Sequence, residues 1–296
     1  MKLLIISGRS GSGKSTALNM LEDHGYYCID NLPASLLPAF IARISSETTA
    51  LPMVAVSIDA RNIPDDLKKV PRILQDIKKT VVNTEVIFLD ANGPTLIKRF
   101  SESRRRHPLT SDTVGLREAI NKERELLEPL ATLAGLSIDT STMSVHQLRE
   151  LVRARIVDKK TSSLSVMFES FGFKNGVPID ADFVFDVRCL PNPFWNPELK
   201  PFTGLDQPVA DYLGNQPEVI EMLSDIQQFL GRWLPRFEAS NRSYMTIAIG
   251  CTGGQHRSVY LCEQLRQGFD GKIMNLQVLH RELKREPMQE DAGHTS

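Results

Sequence analysis

The residues best suited to chemistry lie close to the start of the chain, in Gly8-Arg9-Ser10-Gly11-Ser12-Gly13-Lys14-Ser15. Their spacing is G-x-x-x-x-G-K-[ST], and the chemistry it serves is the holding of a polyphosphate. Glycines let the backbone wrap the ligand, so that successive N–H groups point inward at its oxygens. Lys14 would place a compact positive charge on the β- and γ-phosphates, and the Ser15 hydroxyl would ligate Mg²⁺. The apolar run Leu3-Leu4-Ile5-Ile6 precedes the motif, and Thr16-Ala17-Leu18-Asn19-Met20-Leu21 follows with helical character. Strand, Gly-rich loop and helix in that order predict a nucleoside triphosphate site rather than a chance Gly/Ser loop.

Carboxylates and arginines downstream fit around such a site. Asp90 ends the apolar run Val86-Ile87-Phe88-Leu89 and is the candidate Walker-B residue that orients Mg²⁺; capping of the next helix is the alternative. Asp59-Ala60-Arg61-Asn62 follows another apolar run, and Asp59 could touch metal or nucleotide or cap its own loop. Asp30-Asn31, just ahead of Pro33, reads first as a turn, with contact to a substrate or ribose as the other reading. Arg99, Arg104, Arg105 and Arg106 are either a mobile lid closing over the γ-phosphate or a solvated face.

A second strand, loop and helix unit comes late in the chain. Met245-Thr246-Ile247-Ala248-Ile249 leads into Gly250-Cys251-Thr252-Gly253-Gly254-Gln255-His256-Arg257-Ser258. The loop would aim backbone N–H groups at a small anion such as a sugar phosphate, with Arg257 adding a bidentate contact. Cys251 and Arg257-Ser258 also match the spacing of a Cys-based phosphatase loop, although Gly250 stands where such loops carry His. Lys272, His280, Arg281, Lys284 and Arg285 form a short basic cluster near the C-terminus, either a weak RNA contact or a solvated helix face.

These residues need elements to place them. Strands at about 26–30, 54–58, 86–89 and 136–139 alternate with helices at about 35–44, 65 onward, 94–104, 116–127 and 145–157. Apolar strands alternating with helices predict an α/β fold with a parallel sheet covered on both faces. Polar, Ser-rich residues 158–163 read as a linker, giving domains 1–157 and 164–296, the second a smaller α/β domain with strands at 164–168, 183–188 and 245–249. Between them the Pro- and Asn-rich stretch 190–208 reads as one long ordered loop, and a helix is expected over 217–234. With 296 residues, two domains are the expectation, and a formal net charge of −1 excludes wholesale attraction to nucleic acid or membrane. Four cysteines without C-x-x-C spacing argue against a zinc site and for a reducing compartment. No signal peptide or membrane span is legible, so a soluble, cytoplasmic protein is expected.

Taken together, the chain resembles the RapZ/YvcJ family of P-loop nucleotide-binding proteins over nearly its whole length. The residues that carry the resemblance are Gly8 to Ser15, Tyr27-Cys28-Ile29-Asp30-Asn31-Leu32-Pro33 and Asp59 to Asn62, then Phe168-Glu169-Ser170-Phe171-Gly172-Phe173-Lys174, Phe185-Asp186-Val187-Arg188, Leu190-Pro191-Asn192-Pro193 and Gly250 to Ser258. The resemblance implies a kinase-like N-terminal domain that binds ATP at Gly8 to Ser15 and GTP at Asp59 to Asn62 and hydrolyses them slowly. It implies a C-terminal domain that senses glucosamine-6-phosphate through Lys174, Gly253, Gly254, His256 and Arg257 and binds RNA. It further implies a tetrameric adaptor that presents a small regulatory RNA to ribonuclease E. This chain departs from the family at Phe194, often His, and in a tail with less Arg and Lys. A small-molecule kinase is the alternative that the first half favours, and a phosphatase acting through Cys251 and Arg257 is a third reading.

Overall fold

The computed structural model describes residues 1–45, 53–77, 82–103, 105–159, 163–240 and 242–283. The chain divides into two compact units, Met1–Ser165 with Ser240–Met245, and Val166–Ala239 with Thr246–Ser296. No helix among the described residues is long and apolar enough to cross a membrane.

The first unit is built on a five-stranded sheet of β1 (Lys2–Gly8), β2 (Tyr27–Ile29), β3 (Met53–Ser57), β4 (Asn83–Asp90) and β5 (Leu136–Asp139), in the order β2-β3-β1-β4-β5. Every pairing is parallel. Strand side chains alternate between faces, so both faces of β1 must be covered because both are apolar. Leu3 and Ile5 join one buried cluster with residues of α2 (Leu37–Ser45), α3 (Pro64–Ile77) and α5 (Leu116–Leu133). Leu4 and Ile6 join another, with α1 (Lys14–Glu22) and α6 (Val145–Val152). The remaining helix of this unit, α4 (Gly93–Ser103), packs Leu96 with Ala91 and with Ile120 of α5.

The chain leaves β1 toward β2 and β3 on one side and crosses to β4 and β5 on the other. β1 therefore ends at the topological switch point, where ligands of open α/β sheets bind. Two turns there depend on missing side chains. Gly8 has φ +144, and a Cβ on it would stand 2.0 Å from the Leu89 carbonyl oxygen. Gly13 has φ +104, and its Cβ would stand 2.5 Å from Leu148 Cδ2. Motif glycines are thus what allows the loop to lie flat on β4 and α6.

The second unit holds a four-stranded sheet in the order β7-β8-β6-β9, from β6 (Ser165–Gly172), β7 (Phe183–Asp186), β8 (Tyr244–Cys251) and β9 (Asn275–His280). Its helices are α7 (Gln207–Gly214), α8 (Pro217–Ala239) and α9 (Arg257–Phe269). Two elements differ from the sequence expectation. The stretch 190–208 is not one uninterrupted loop: a 3₁₀ turn spans Pro193–Trp195 and α7 begins at Gln207. The start of the basic tail is not a helix face but strand β9, which ends at His280.

Candidate functional site

Strand register decides which carboxylates reach the Gly-rich loop. Ile6 pairs with Ser57 on one side, and Gly8 pairs with Leu89 on the other. Asp59, two residues beyond β3, and Asp90, the last of β4, therefore flank the loop from opposite sides. Lys14, at the first position of α1, folds back beneath the loop. Its Nζ donates to the carbonyls of Gly8 at 2.8 Å and Arg9 at 3.2 Å and lies 4.0 Å from Asp59 Oδ2.

Asp59 is buried and accepts from the Arg61 backbone N–H at 2.9 Å, from Arg61 Nε at 3.0 Å and from Arg61 Nη2 at 2.8 Å. Burial alone would raise its pKa, but the Arg61 hydrogen bonds and the Lys14 charge hold the carboxyl below its ordinary value. The same contact with Asp59 raises the Arg61 guanidinium.

Asp90 is placed differently, against Arg9 at the start of the loop. Its Oδ1 accepts from Arg9 Nε at 2.6 Å and from the Ala91 N–H at 2.7 Å, while Arg9 Nη2 donates to the Ala91 carbonyl. Asp90 thus closes the start of the loop onto β4 and does not line the cleft; Asp59 is the carboxylate beside Lys14. The Arg9 side chain takes part in the same closure.

The cleft has a volume of about 840 Å³ and is lined by Ser10 to Thr16, Asp30, Asp59, Arg61, Arg99, Arg105 and Arg106, among others. Residues that the resemblance divides between ATP and GTP therefore share one cavity. Ala60 and Asn62 stand behind it: Ala60 is in the apolar core, and Asn62 Oδ1 accepts from the Ala34 N–H at 2.7 Å. Arg99 lines the cavity and is held by the loop and by Thr140. Its Nη1 donates to the Gly11 carbonyl and to Thr140 Oγ1, both at 2.9 Å, and its Nη2 to the Thr140 carbonyl at 2.5 Å. Arg105 and Arg106 do line the cavity, and Arg104 lies outside the described residues.

Two residues of this site escape the sequence reading. Glu123 of α5, fully buried, accepts from the Ser10 backbone N–H at 2.9 Å, from Ser10 Oγ at 2.7 Å and from His107 Nε2 at 3.0 Å. The Leu109 N–H donates to His107 Nδ1 at 3.1 Å, which assigns the imidazole proton to Nε2 and makes the ring a donor to Glu123. Glu123 sits four residues past Ala119 and four before Leu127, both buried, and that spacing is the signal that places it on the inward face.

Burial pushes the Lys14 ammonium below the ordinary lysine value, against the pull of Asp59. Binding a phosphate needs the charged form, so above the lowered value binding must first add a proton. Triphosphate affinity is expected to fall as pH rises through a window beginning below the usual lysine value of about 10.4. Calorimetric titration across pH reads this; constant affinity up to the ordinary lysine range would contradict it.

In the second unit the stretch from Gly250 to Ser258 covers the end of β8, the turn at 252–256 and the start of α9. The Lys174 N–H donates to the Thr252 carbonyl at 3.3 Å, so the exposed Lys174 is brought beside the loop. Gly254, at φ +72, is packed: a Cβ there would stand 2.4 Å from Glu282 Cγ and 2.6 Å from the Gly172 nitrogen. At Gly253 a Cβ would meet nothing within 4 Å, so this part of the loop is open. His256 is buried, which lowers its pKa against the opposing carbonyls of Lys200 and Phe202.

Arg257 is buried. Its Nη1 donates to the carbonyls of Arg188 at 2.8 Å and Leu190 at 2.9 Å, its Nη2 lies 3.4 Å from Thr252 Oγ1, and its Nε has no hydrogen-bond partner among the described residues. Cys251 Sγ accepts from the Gly254 N–H at 3.2 Å and lies 3.2 Å from Ser258 Oγ. Burial raises this thiol, but hydrogen bonds from Ser258 and Gly254, with the Arg257 charge, leave it below the usual value. With Cys251 only 2% exposed and Arg257 facing carbonyls, the phosphatase reading gains no open nucleophile from the geometry.

The basic residues are dispersed. Lys272 Nζ donates to the Gly268 carbonyl at 2.8 Å, His280 bridges Ser170 Oγ at 2.9 Å and Glu263 Oε1 at 3.2 Å, and Arg281 donates to the carbonyls of Gly176 and Asn175, both at 3.1 Å. Lys284 and Arg285 lie outside the described residues.

Two family models match the chain: the RapZ-like N-terminal domain over residues 1–160 and the RapZ C-terminal domain over residues 164–284. A nucleotide-binding protein of Azotobacter vinelandii is 56% identical over 284 residues, spanning 96% of this chain and 100% of that protein. A nucleotide-binding protein of Pseudomonas fluorescens (strain Pf0-1) is 57% identical with the same coverage. Among solved structures, a YorR protein of Bacillus subtilis in complex with phosphorylated GDP is similar at TM-score 0.35 and 18% identity, over 51% of this chain and 92% of that one.

Proposed function

This chain belongs to the RapZ-like family, and from that premise we propose that it binds ATP and GTP, in one cleft, and hydrolyses them slowly as a regulatory protein. The observation that carries the reading is the arrangement of Lys14, Asp59 and the Ser10–Ser15 part of the loop around one cavity of about 840 Å³. Ser15 and Asp59 line it, and with Asp90 at the end of β4 they offer hydroxyl and carboxylate oxygens, hard donors of the kind that suits Mg²⁺, which favours one or two carboxylates plus substrate phosphates. When bound, Mg²⁺ supplies charge neutralisation for the β- and γ-phosphates.

The C-terminal unit, in this proposal, takes glucosamine-6-phosphate beside Gly253 and Lys174 and binds a small regulatory RNA, which a tetramer presents to ribonuclease E in the cytoplasm. Family membership and the open face at Gly253 support it. Retention of a structured small RNA on the full chain, with and without glucosamine-6-phosphate, tests this half; loss of both binding events overturns it.

The nucleotide half is tested by titrating ATP·Mg²⁺ into the full chain at saturating GTP·Mg²⁺. One cleft requires mutual competition, with the apparent ATP dissociation constant rising in proportion to GTP. Simultaneous binding at independent stoichiometries overturns the shared site.

A further inference from the structure

Triphosphate binding leaves part of the cleft wall without a task. Asp30 follows β2, lines the cleft and has a side chain 55% exposed. It is nevertheless held firmly. Ser57 Oγ donates to its Oδ1 at 2.6 Å and itself accepts the Asn31 N–H at 2.7 Å. Arg61 Nη2 lies 3.2 Å from both Asp30 oxygens and 2.8 Å from Asp59 Oδ2, and Asp59 in turn is 4.0 Å from Lys14 Nζ. Asn31 occupies the left-handed region at φ 51, and its Oδ1 accepts from Asn62 Nδ2 at 2.9 Å. A carboxylate that is positioned by its neighbours, open to the cavity and linked through Arg61 to the lysine of the phosphate loop is arranged for a reacting partner.

We propose that Asp30 and Arg61 form an acceptor subsite, and that the N-terminal unit transfers a phosphoryl group from a nucleoside triphosphate to a polyhydroxylated small molecule. A carboxylate beside a guanidinium matches neighbouring hydroxyl groups: one donates to Asp30 and the next accepts from Arg61. In the transfer, the acceptor oxygen forms a bond to the γ-phosphorus while the bond from that phosphorus to the β,γ-bridging oxygen breaks. The hydroxyl proton passes to Asp30, the nucleoside diphosphate is the leaving group, and the product is a phosphate monoester; Mg²⁺, where held, would neutralise the charge of the phosphates. Asp30 is the catalytic residue because it touches the reacting hydroxyl; Ser57 and Asn31 are positioning residues.

The inference rests on triphosphate binding at the phosphate loop, and the experiment separates the two. The full chain is incubated with γ-labelled ATP, Mg²⁺ and a small-molecule extract of bacterial cells, with D-gluconate, myo-inositol and D-ribose as defined probes, and ATP affinity is measured alongside. The expected result is an acid-stable labelled ester in addition to inorganic phosphate, whose formation Asp30→Asn lowers about 100-fold more than it lowers ATP affinity. The isolated ester should also raise the melting temperature of the parent chain more than that of Asp30→Asn, a binding readout independent of turnover. Label in inorganic phosphate alone, or an ester formed at the same rate by Asp30→Asn, overturns the acceptor subsite. Failure of ATP to bind at all overturns the nucleotide reading instead.

Discussion

Lys14→Ala is expected to weaken ATP binding by about 1000-fold, measured by calorimetry on the full chain. The ammonium is buried, donates to the Gly8 and Arg9 carbonyls and lies 4.0 Å from Asp59. Removing one member of a buried charged pair at a binding site costs about 2–5 kcal/mol. A loss near the upper part of that range, about 4 kcal/mol, corresponds to about three decades in the dissociation constant. Two effects add in the same direction: the phosphates lose their charge-assisted contact, and Asp59 is left close to an incoming polyanion with less compensation. Affinity within tenfold of the parent would mean that Lys14 does not hold the phosphates.

Glu123→Ala is the second large effect, and it acts on stability as much as on binding. The substitution strips the partner from the Ser10 N–H, from Ser10 Oγ and from His107 Nε2, all inside the first unit. Leaving buried donors unsatisfied costs about 1–3 kcal/mol apiece before relaxation. A net loss of about 3 kcal/mol is expected. For a unit of this size that lowers the melting temperature by roughly 6–12 °C. Glu123→Gln keeps one acceptor oxygen but turns an amide toward a donor, so its fall should be smaller. A melting temperature unchanged in Glu123→Ala would show that the Ser10 contacts contribute nothing to the fold.

The parallel sheet was legible because its strands are apolar on both faces, and only strands covered on both sides read that way. β1, β3 and β4 all announce themselves by composition. What the sequence does not contain is the order β2-β3-β1-β4-β5, and that order assigns the carboxylates. Asp59 and Asp90 look alike in the chain, each closing an apolar run; register alone turns one toward Lys14 and gives the other to Arg9. Glu123 was hidden by its setting, Lys122-Glu123-Arg124-Glu125, where a charge run suggests a solvated face. α7 was obscured because it starts at Gln207-Pro208 directly after a stretch rich in Pro and Asn, although Pro in the first helical turn is a favoured start. β9 is masked by the basic residues that flank it, whereas Leu276-Gln277-Val278-Leu279 is a short, mainly apolar run of the kind that strands show.

The shared cavity lined by Ser10–Ser15 together with Asp59 and Arg61 has a consequence for signalling. Two ligands that exclude one another report a ratio, not two concentrations. Under the proposed nucleotide binding, with both purine triphosphates far above their dissociation constants, the site is always full, and only the proportion of molecules carrying each base varies. Such a protein would be blind to the total triphosphate concentration and responsive to the balance between adenine and guanine pools.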